Sequence, residues 1–536
     1  MSLPAPPGDV KVSAGSGRAH VARKAGVVAL FTLASRVLGL VRDSVTAALF
    51  PRGATDAFFV AFTIPNVFRY LLAEGSLVIA FIPVFTEYRK RSEEEARRLA
   101  AATLGAALVV VGLVCLAGIA LAPWIVRLFA EGFVADRERF ALTVWLTRAM
   151  FPYLLFVAVA ALAMGVLNTL GHFSTPAASP VALNAVIIAT VLCASTAMAA
   201  LGLPPVTSLA AGVVLGGVAQ VLLSLVPLAR RGYLVWPRLE LAHPGVRRIG
   251  RLMAPALFGL IVYQVNILLA RRFASFLGEG AVSSLYYAQR LVELPMGLFA
   301  FSVATATTPE LAVHVAEGQG ERFKETFRES LALTLFMVIP ASAALATLGV
   351  PICAVLFQRG RFDWSATRDT SAALVGFAAG MWAAAGVRAT VPAFYAIGET
   401  RAPVRMALVG LVAYVASALV LRGPLGAPGL AFAVAIASAA QFAGLAAALR
   451  RRLGRLGMRA LARSVARVLA ASAVACAGAW AVSLAGRWEP GGALARNYVV
   501  LAAAVAAGVA LYVAAASALG CPELARVREA LRRRSG

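Results

Sequence analysis

Ionisable residues stand in this chain where an apolar run should hold none. One run reads Ser35-Arg36-Val37-Leu38-Gly39-Leu40-Val41-Arg42-Asp43, inside a hydrophobic stretch that begins near Gly26. At 1.5 Å per residue, Arg36 lies about 15 Å along that stretch, near the middle of a bilayer-sized helix. Arg36 and Asp43 are seven residues apart and share a helix face, whereas Arg42 points roughly 120° away. Lipid cannot shelter all three, so they require a wet cavity or buried partners. The next stretch adds Asp56 near one end, Arg69 deep inside and Glu74 beyond it. A later one adds Arg290 and Glu293, after Tyr286 and Tyr287. Arg271 and Arg272 sit towards the end of their stretch and are expected to snorkel to the interface.

The chemistry these types allow is anion binding. Arginines outnumber acids in the apolar stretches, and uncompensated cations in a low-dielectric space imply an anionic partner. The planar guanidinium fork matches phosphate oxygens bidentately, so a diphosphate is the natural guess. The candidate substrate-binding set is Arg36, Arg42, Asp43, Asp56, Arg69, Glu74 and Arg290. A plainer reading makes them ion pairs that fix helix packing, such as Arg36 with Asp43 or Arg290 with Glu293. No GxSxG, P-loop or HExxH motif occurs, so enzymatic chemistry is not expected. The five cysteines, Cys115, Cys193, Cys353, Cys476 and Cys521, form no CxxC pair and read as small core residues. Neither a metal nor a cofactor is expected.

The elements that must position these side chains are membrane helices. Sixty per cent of the 536 residues are hydrophobic and 14% are charged, against about 25% charged in a soluble domain. Apolar runs of bilayer length recur at 24–50, 56–88, 99–129, 139–168, 178–201, 206–229, 249–277, 282–314, 324–357, 367–396, 402–421, 428–449, 459–485 and 494–519. This predicts an all-α polytopic membrane protein of about fourteen transmembrane helices. Pro65, Gly75 and Pro83 predict a bend in the second. Residues 1–23 read as a disordered tail and 520–536 as a basic one. The net charge of +25 does not indicate nucleic acid, because no aromatic-interleaved basic domain exists. The excess collects in alternate loops, around Arg89–Arg91, Arg230–Arg231, Arg247–Arg248 and Arg450–Arg452, and in Arg532–Arg534. Both termini are therefore expected on the cytoplasmic side.

The chain also repeats. Leu128-Phe129-Ala130-Glu131-Gly132-Phe133 matches Leu356-Phe357-Gln358-Arg359-Gly360-Arg361-Phe362, 228 residues on. Gly171 and Pro176 match Gly398 and Pro403 at 227, Pro83 matches Pro309 at 226, and Pro65 matches Pro295 at 230. An offset of six helices preserves orientation. Two parallel-repeat six-helix lobes, 24–231 and 246–452, are thus expected about an axis along the membrane normal. Helices thirteen and fourteen, within 459–519, stand outside the repeat.

Ser35-Arg36-Val37-Leu38-Gly39 with Arg42-Asp43, then Ala54-Thr55-Asp56-Ala57-Phe58-Phe59, Ile64-Pro65-Asn66, Arg69 and Ala73-Glu74-Gly75, resemble the MurJ (MviN) lipid II flippases. So do Phe151-Pro152-Tyr153, Tyr286-Tyr287-Ala288 with Arg290-Leu291, and Phe394-Tyr395. The resemblance runs in order through about residues 24 to 520. It implies the exporter fold of the multidrug/oligosaccharidyl-lipid/polysaccharide (MOP) superfamily, in the bacterial inner membrane. It implies movement of undecaprenyl-diphosphate-linked disaccharide pentapeptide, lipid II, to the outer leaflet by alternating access, in support of cell-wall synthesis and cell shape. It assigns the essential cavity arginines to Arg36, Arg42, Arg69 and Arg290 and the acids to Asp43 and Asp56. The two extra helices become a groove for the lipid tail. Membrane lipids and cell-wall synthesis proteins are the further partners implied. Gln289 stands where some relatives carry an acid. Alternatives are a flippase for another polyprenyl-diphosphate glycan and a membrane-embedded glycan polymerase. The second would need a catalytic carboxylate near a large external loop, and the external loops read as short.

Overall fold

The computed structural model describes residues 14–454, 457–489 and 494–535, and every regular element among them is helical. The first part of the chain runs through α1 (Ala14–Leu49), α2 (Arg52–Arg69), α3 (Ser76–Arg91), α4 (Glu93–Ala120) and α5 (Ala122–Phe129). It continues with α6 (Arg137–Met150), α7 (Tyr153–Thr169), α8 (Ser174–Ala200) and α9 (Thr207–Arg230). After an extended connection come α10 (Pro244–Ser275), α11 (Ala281–Pro295), α12 (Phe301–Ala316), α13 (Gly320–Thr347) and α14 (Gly349–Phe357). Then follow α15 (Trp364–Ala396), α16 (Arg401–Leu453), α17 (Met458–Ser483), α18 (Ala495–Ala518) and α19 (Pro522–Ser535). α1 begins inside the stretch read as a tail; residues 1–13 lie outside the described residues.

Helix starts follow local chemistry. Ser92 caps α4 through the Glu94 N–H at 3.1 Å, and Glu93, Glu94 and Glu95 in the first turn favour the positive end of the helix dipole. Asp136 and Asp363 cap α6 and α15 in the same way. Between α2 and α3 the backbone widens into a π-turn, Tyr70–Gly75, and between α11 and α12 into another, Met296–Ala300. The bend expected in the second apolar stretch is therefore a π-turn ending at Gly75. Its counterpart begins 226 residues later, next to Pro295. Gly171 and Gly398, already matched by the repeat, both take φ of 72°. That left-handed conformation suits glycine.

Eleven helical stretches among the described residues are long and apolar enough to cross a membrane, against the fourteen read from sequence. One of them, α16, is 53 residues long and breaks at Gly426, where φ is 59° and ψ −134°. α1 and α10 are not among the eleven. Both hold charge in their interiors: Arg36, Arg42 and Asp43 in one, Arg271 and Arg272 in the other. The outer flanks of the bundle expose large apolar side chains such as Leu113, Leu116, Val412, Val420 and Val499, as a lipid-facing surface requires. This is an all-helical, multi-pass membrane protein. Its largest buried core joins the two parts of the chain, with Phe58, Phe59 and Phe151 packed alongside Tyr287, Phe357 and Phe362.

Candidate functional site

Arg42 and Asp43 are almost wholly buried, 6% and 1% exposed. Arg42 Nη2 and Nε donate to Asp43 Oδ1 at 2.6 and 3.0 Å. Its Nη1 donates to Asn184 Oδ1 at 3.2 Å, and Nη2 also reaches the Tyr286 hydroxyl at 2.9 Å. Asp43 turns its other oxygen to Arg290, whose Nε donates at 3.3 Å. Arg290 Nη1 donates to Glu293 Oε2 at 3.0 Å, and Gln289 Nε2 to Glu293 Oε1 at 3.3 Å. One polar chain thus runs from α8 through α1 to α11. Gly39 faces this chain: a Cβ there would stand 3.7 Å from the Asn184 amide nitrogen, an ordinary contact.

Arg36 does not pair with Asp43. It donates to the main-chain oxygens of Leu294 at 3.3 Å and Glu293 at 3.5 Å, where α11 gives way to its π-turn. Its guanidinium packs over Gly297, whose Cβ would lie 2.2 Å from it. Distorted helix turns are places where carbonyls become available, and they recur at functional sites. Of the two ion pairs considered from sequence, Arg290–Glu293 forms, and Asp43 serves Arg42 and Arg290 instead of Arg36.

Arg271 does not snorkel. Arg271 turns inwards, donating from Nε to Thr63 Oγ1 at 3.2 Å, with its guanidinium 5.7 Å from the centre of the Tyr286 ring. Arg290 lies 5.6 Å from the same ring, which Phe59 stacks upon at 3.8 Å. Arg272 donates to the Leu128 carbonyl at 3.2 Å and pairs with Glu131. A long side chain can snorkel from a helix end only where lipid or water is beside it; here another helix is. The inner cluster of Arg36, Arg42, Arg271 and Arg290 sets four cations against the two carboxylates of Asp43 and Glu293.

Asp56 is fully buried and engaged elsewhere. It accepts from the Gly280 N–H at 2.7 Å, the Ser283 N–H at 2.8 Å and the Ser283 hydroxyl at 2.7 Å, so it caps α11 from across the molecule. Glu279 returns the contact by accepting from the Gly53 N–H at 2.7 Å, at the start of α2. Gly53 and Glu279 are 226 residues apart, Asp56 and Ser283 227. Close to these caps the repeated loops close over the bundle. A Cβ on Gly132 would lie 2.2 Å from the Ser275 carbonyl oxygen, and one on Gly360 2.2 Å from that of Ala48. The Arg361 N–H donates to the Ala48 carbonyl at 2.8 Å, Ser44 Oγ to the Leu356 carbonyl at 2.7 Å, and Arg52 pairs with Asp369. These contacts form a seal across one end of the bundle. Arg69 ends α2 at the first π-turn, half-buried. Glu74 belongs to that turn, and its side chain lies outside the described residues.

The sequence does not single out Asn184, Thr63 and Glu279, and it offers Tyr286 only as part of the Tyr286-Tyr287 motif before Arg290. A polar or aromatic residue in a membrane helix carries no signal by type alone. Glu279 was reachable by extending the repeat, because it stands opposite Gly53 at the established offset.

Comparison with known proteins gives one answer. Residues 45–499 match the family described as lipid II flippase MurJ. The chain is 38% identical over 426 residues to a probable lipid II flippase MurJ of Bdellovibrio bacteriovorus, covering 78% of this chain and 80% of that one. It is 33% identical over 428 residues to the lipid II flippase MurJ of Burkholderia cenocepacia, covering 79% and 82%. In fold it resembles a solved lipid II flippase MurJ in an inward closed conformation, with a TM-score of 0.74 at 22% identity over 91% of this chain and 98% of that one. An inward-facing multidrug transporter of the MATE family and MOP superfamily follows at 0.64 and 17%, covering 79% and 96%. With a match that spans most of its length and relatives above 30% identity over more than three-quarters of it, the chain belongs to the MurJ lipid II flippase family.

Proposed function

We propose that this protein carries lipid II, the undecaprenyl-diphosphate-linked peptidoglycan precursor, from the cytoplasmic to the outer leaflet of the bacterial inner membrane. Family membership supports the substrate. The observation that carries the mechanism is the net positive cluster around Arg42, Asp43 and Arg290. Asp43 shares its two oxygens between two arginines. A diphosphate offers stronger, bidentate acceptors, and it replaces that shared carboxylate as their partner. Arg36 joins from the other side of the π-turn. Asp56 acts through the seal and not by touching the headgroup.

The membrane arrangement follows the same reading. The eleven apolar stretches, the second half of α16 beyond Gly426, and the charged α1 and α10 add to fourteen crossings. Residues 24–231 and 246–452 make two lobes related by rotation about the membrane normal, with 459–519 beside them as the lipid-tail groove. The basic clusters at Arg89–Arg91, Arg230–Arg231 and Arg450–Arg452 favour the cytoplasm, as do both termini. The seal formed by Gly132, Gly360 and the two cross-caps then faces outwards, and the cavity opens inwards. Transport requires the seal to open and the opposite end to close, which is alternating access. Depletion of the native protein tests the function: lipid-linked precursor accumulates on the cytoplasmic side, and re-expression restores its export. Accumulation of a different polyprenyl-diphosphate glycan, with lipid II export unchanged, refutes the substrate.

A further inference from the structure

Arg271 differs from the other guanidiniums of the cluster. Asp43 neutralises Arg42 and shares its charge with Arg290, which also has Glu293. Arg36 spends its fork on two carbonyls. Among the described residues no carboxylate lies within ion-pair distance of Arg271, and only its Nε has a hydrogen-bond acceptor, the Thr63 hydroxyl. Arg271 is half-buried, so its side chain keeps access to open space. The stem is fixed nevertheless. The guanidinium lies over Tyr286, whose ring is backed by Phe59 at 3.8 Å and whose hydroxyl is held by Arg42 at 2.9 Å. α10 reaches the seal one turn later, where Ser275 meets Gly132. An oriented fork with no carboxylate in ion-pair contact, one turn from the seal, is a prepared anion site, because a charge withdrawn from bulk water is stable only with a counter-charge or a full set of acceptors.

We propose that Arg271 is a substrate-binding residue that takes a phosphate group at the roof of the cavity, directly beneath the seal, with Tyr286 and Thr63 holding its guanidinium in place. This rests on the reading of the cavity as a diphosphate-lipid site. It adds a station to it: the phosphates leave Arg42 and Arg290, which are paired with carboxylates, for a cation that has no carboxylate in ion-pair contact. Thr63 and Tyr286 project from α2 and α11, the two helices that the reciprocal caps tie together. Opening the seal therefore moves the parts that hold Arg271, and the anion site loosens as the way out opens.

Binding to the purified full chain in detergent micelles tests the assignment, with undecaprenyl diphosphate as the probe and undecaprenol as the uncharged control. Arg271→Gln keeps a side-chain amide for Thr63 and deletes the charge. It weakens undecaprenyl diphosphate binding by about tenfold or more, as loss of a charged bidentate partner does. It leaves undecaprenol binding unchanged and reduces the dependence of diphosphate binding on salt. Thr63→Val, which removes only the protein acceptor, costs less than about threefold. Where Arg271→Gln does not fold, Arg271→Lys decides, since it keeps the charge but not the fork: about fivefold weaker binding supports the site, and equal binding overturns it. Diphosphate binding by Arg271→Gln within about twofold of the native protein, with Arg42→Gln strongly impaired, removes Arg271 from the site and leaves the cavity reading standing. Unchanged binding in Arg42→Gln, Arg271→Gln and Arg290→Gln alike overturns both.

Discussion

A buried guanidinium is stable when its donors are taken and its charge is met. Arg42 satisfies both conditions through Asp43, Asn184 and Tyr286, and this makes it a sensitive position. Arg42→Ala is expected to abolish support of growth in a flippase-deficient strain, because the proposed diphosphate site loses its best-oriented fork. The protein still folds and inserts, since Arg290 remains to meet Asp43. Arg42→Lys retains partial function at most, because an ammonium cannot reach three acceptors in one plane. Asp43→Asn behaves differently. It removes the carboxylate that two arginines share, and breaking a buried pair costs about 3–5 kcal/mol. A lowered melting temperature and reduced membrane abundance are the expected readouts; an unchanged melting temperature contradicts the pairing. At this scale the sequence exposed Arg42, Asp43 and Arg290, because an ionisable group in an apolar run is costly and therefore conspicuous. It hid Asn184, whose type is ordinary in a membrane helix, and showed Tyr286 without its role. Arg271 was visible and misread: nearness to a helix end suggested an escape to the interface, and the neighbouring α2 closes that route.

Elements meet through their ends. Asp56 caps α11 and Glu279 meets the first turn of α2, so each of the two helices begins on a carboxylate supplied by the other's neighbourhood. Asp56→Ala leaves the Gly280 and Ser283 N–H groups without their acceptor, a loss of about 1–2 kcal/mol by analogy with ordinary helix caps. Because the cap spans the seal, the closed state bears that loss, and the open one gains population. An impermeant thiol reagent added from outside is expected to label Ala48→Cys faster in the Asp56→Ala background; an equal rate contradicts the latch. Gly360→Ala acts in the same direction. Its Cβ collides with the Ala48 carbonyl, and its φ of 54° strains any side chain. The repeated Leu-Phe loops were legible as punctuation at a fixed offset. Their purpose was not, because a glycine in a loop looks the same whether it turns the chain or seats another backbone. The two π-turns were partly legible, through Gly75 and Pro295, whereas the carbonyls they offer to Arg36 depend on tertiary packing.

Taken whole, the molecule is a bundle whose least apolar helices matter most. α1 and α10 are absent from the eleven strongly apolar stretches, and they carry three of the four clustered arginines, Arg36, Arg42 and Arg271. Reading both as crossings, with the break in α16 at Gly426 separating two more, gives an even number and puts both termini on one side. An inserted cysteine between Arg450 and Arg459 is expected to resist an impermeant reagent from outside, and labelling there would invert the topology. The fold class was legible because apolar runs of bilayer length leave few choices. The offsets of the repeat recur in the π-turns, the cross-caps and the loop glycines. The central claim is that the arginine cluster moves a diphosphate-linked lipid. The direct measurement is the fraction of lipid-linked precursor exposed on the outer leaflet, in cells depleted of their own flippase and expressing this protein or its Arg42→Ala variant at equal level. The native chain is expected to restore exposure, while the equally abundant variant leaves the precursor on the cytoplasmic side. Full exposure with well-expressed Arg36→Ala, Arg42→Ala and Arg290→Ala variants would contradict the account.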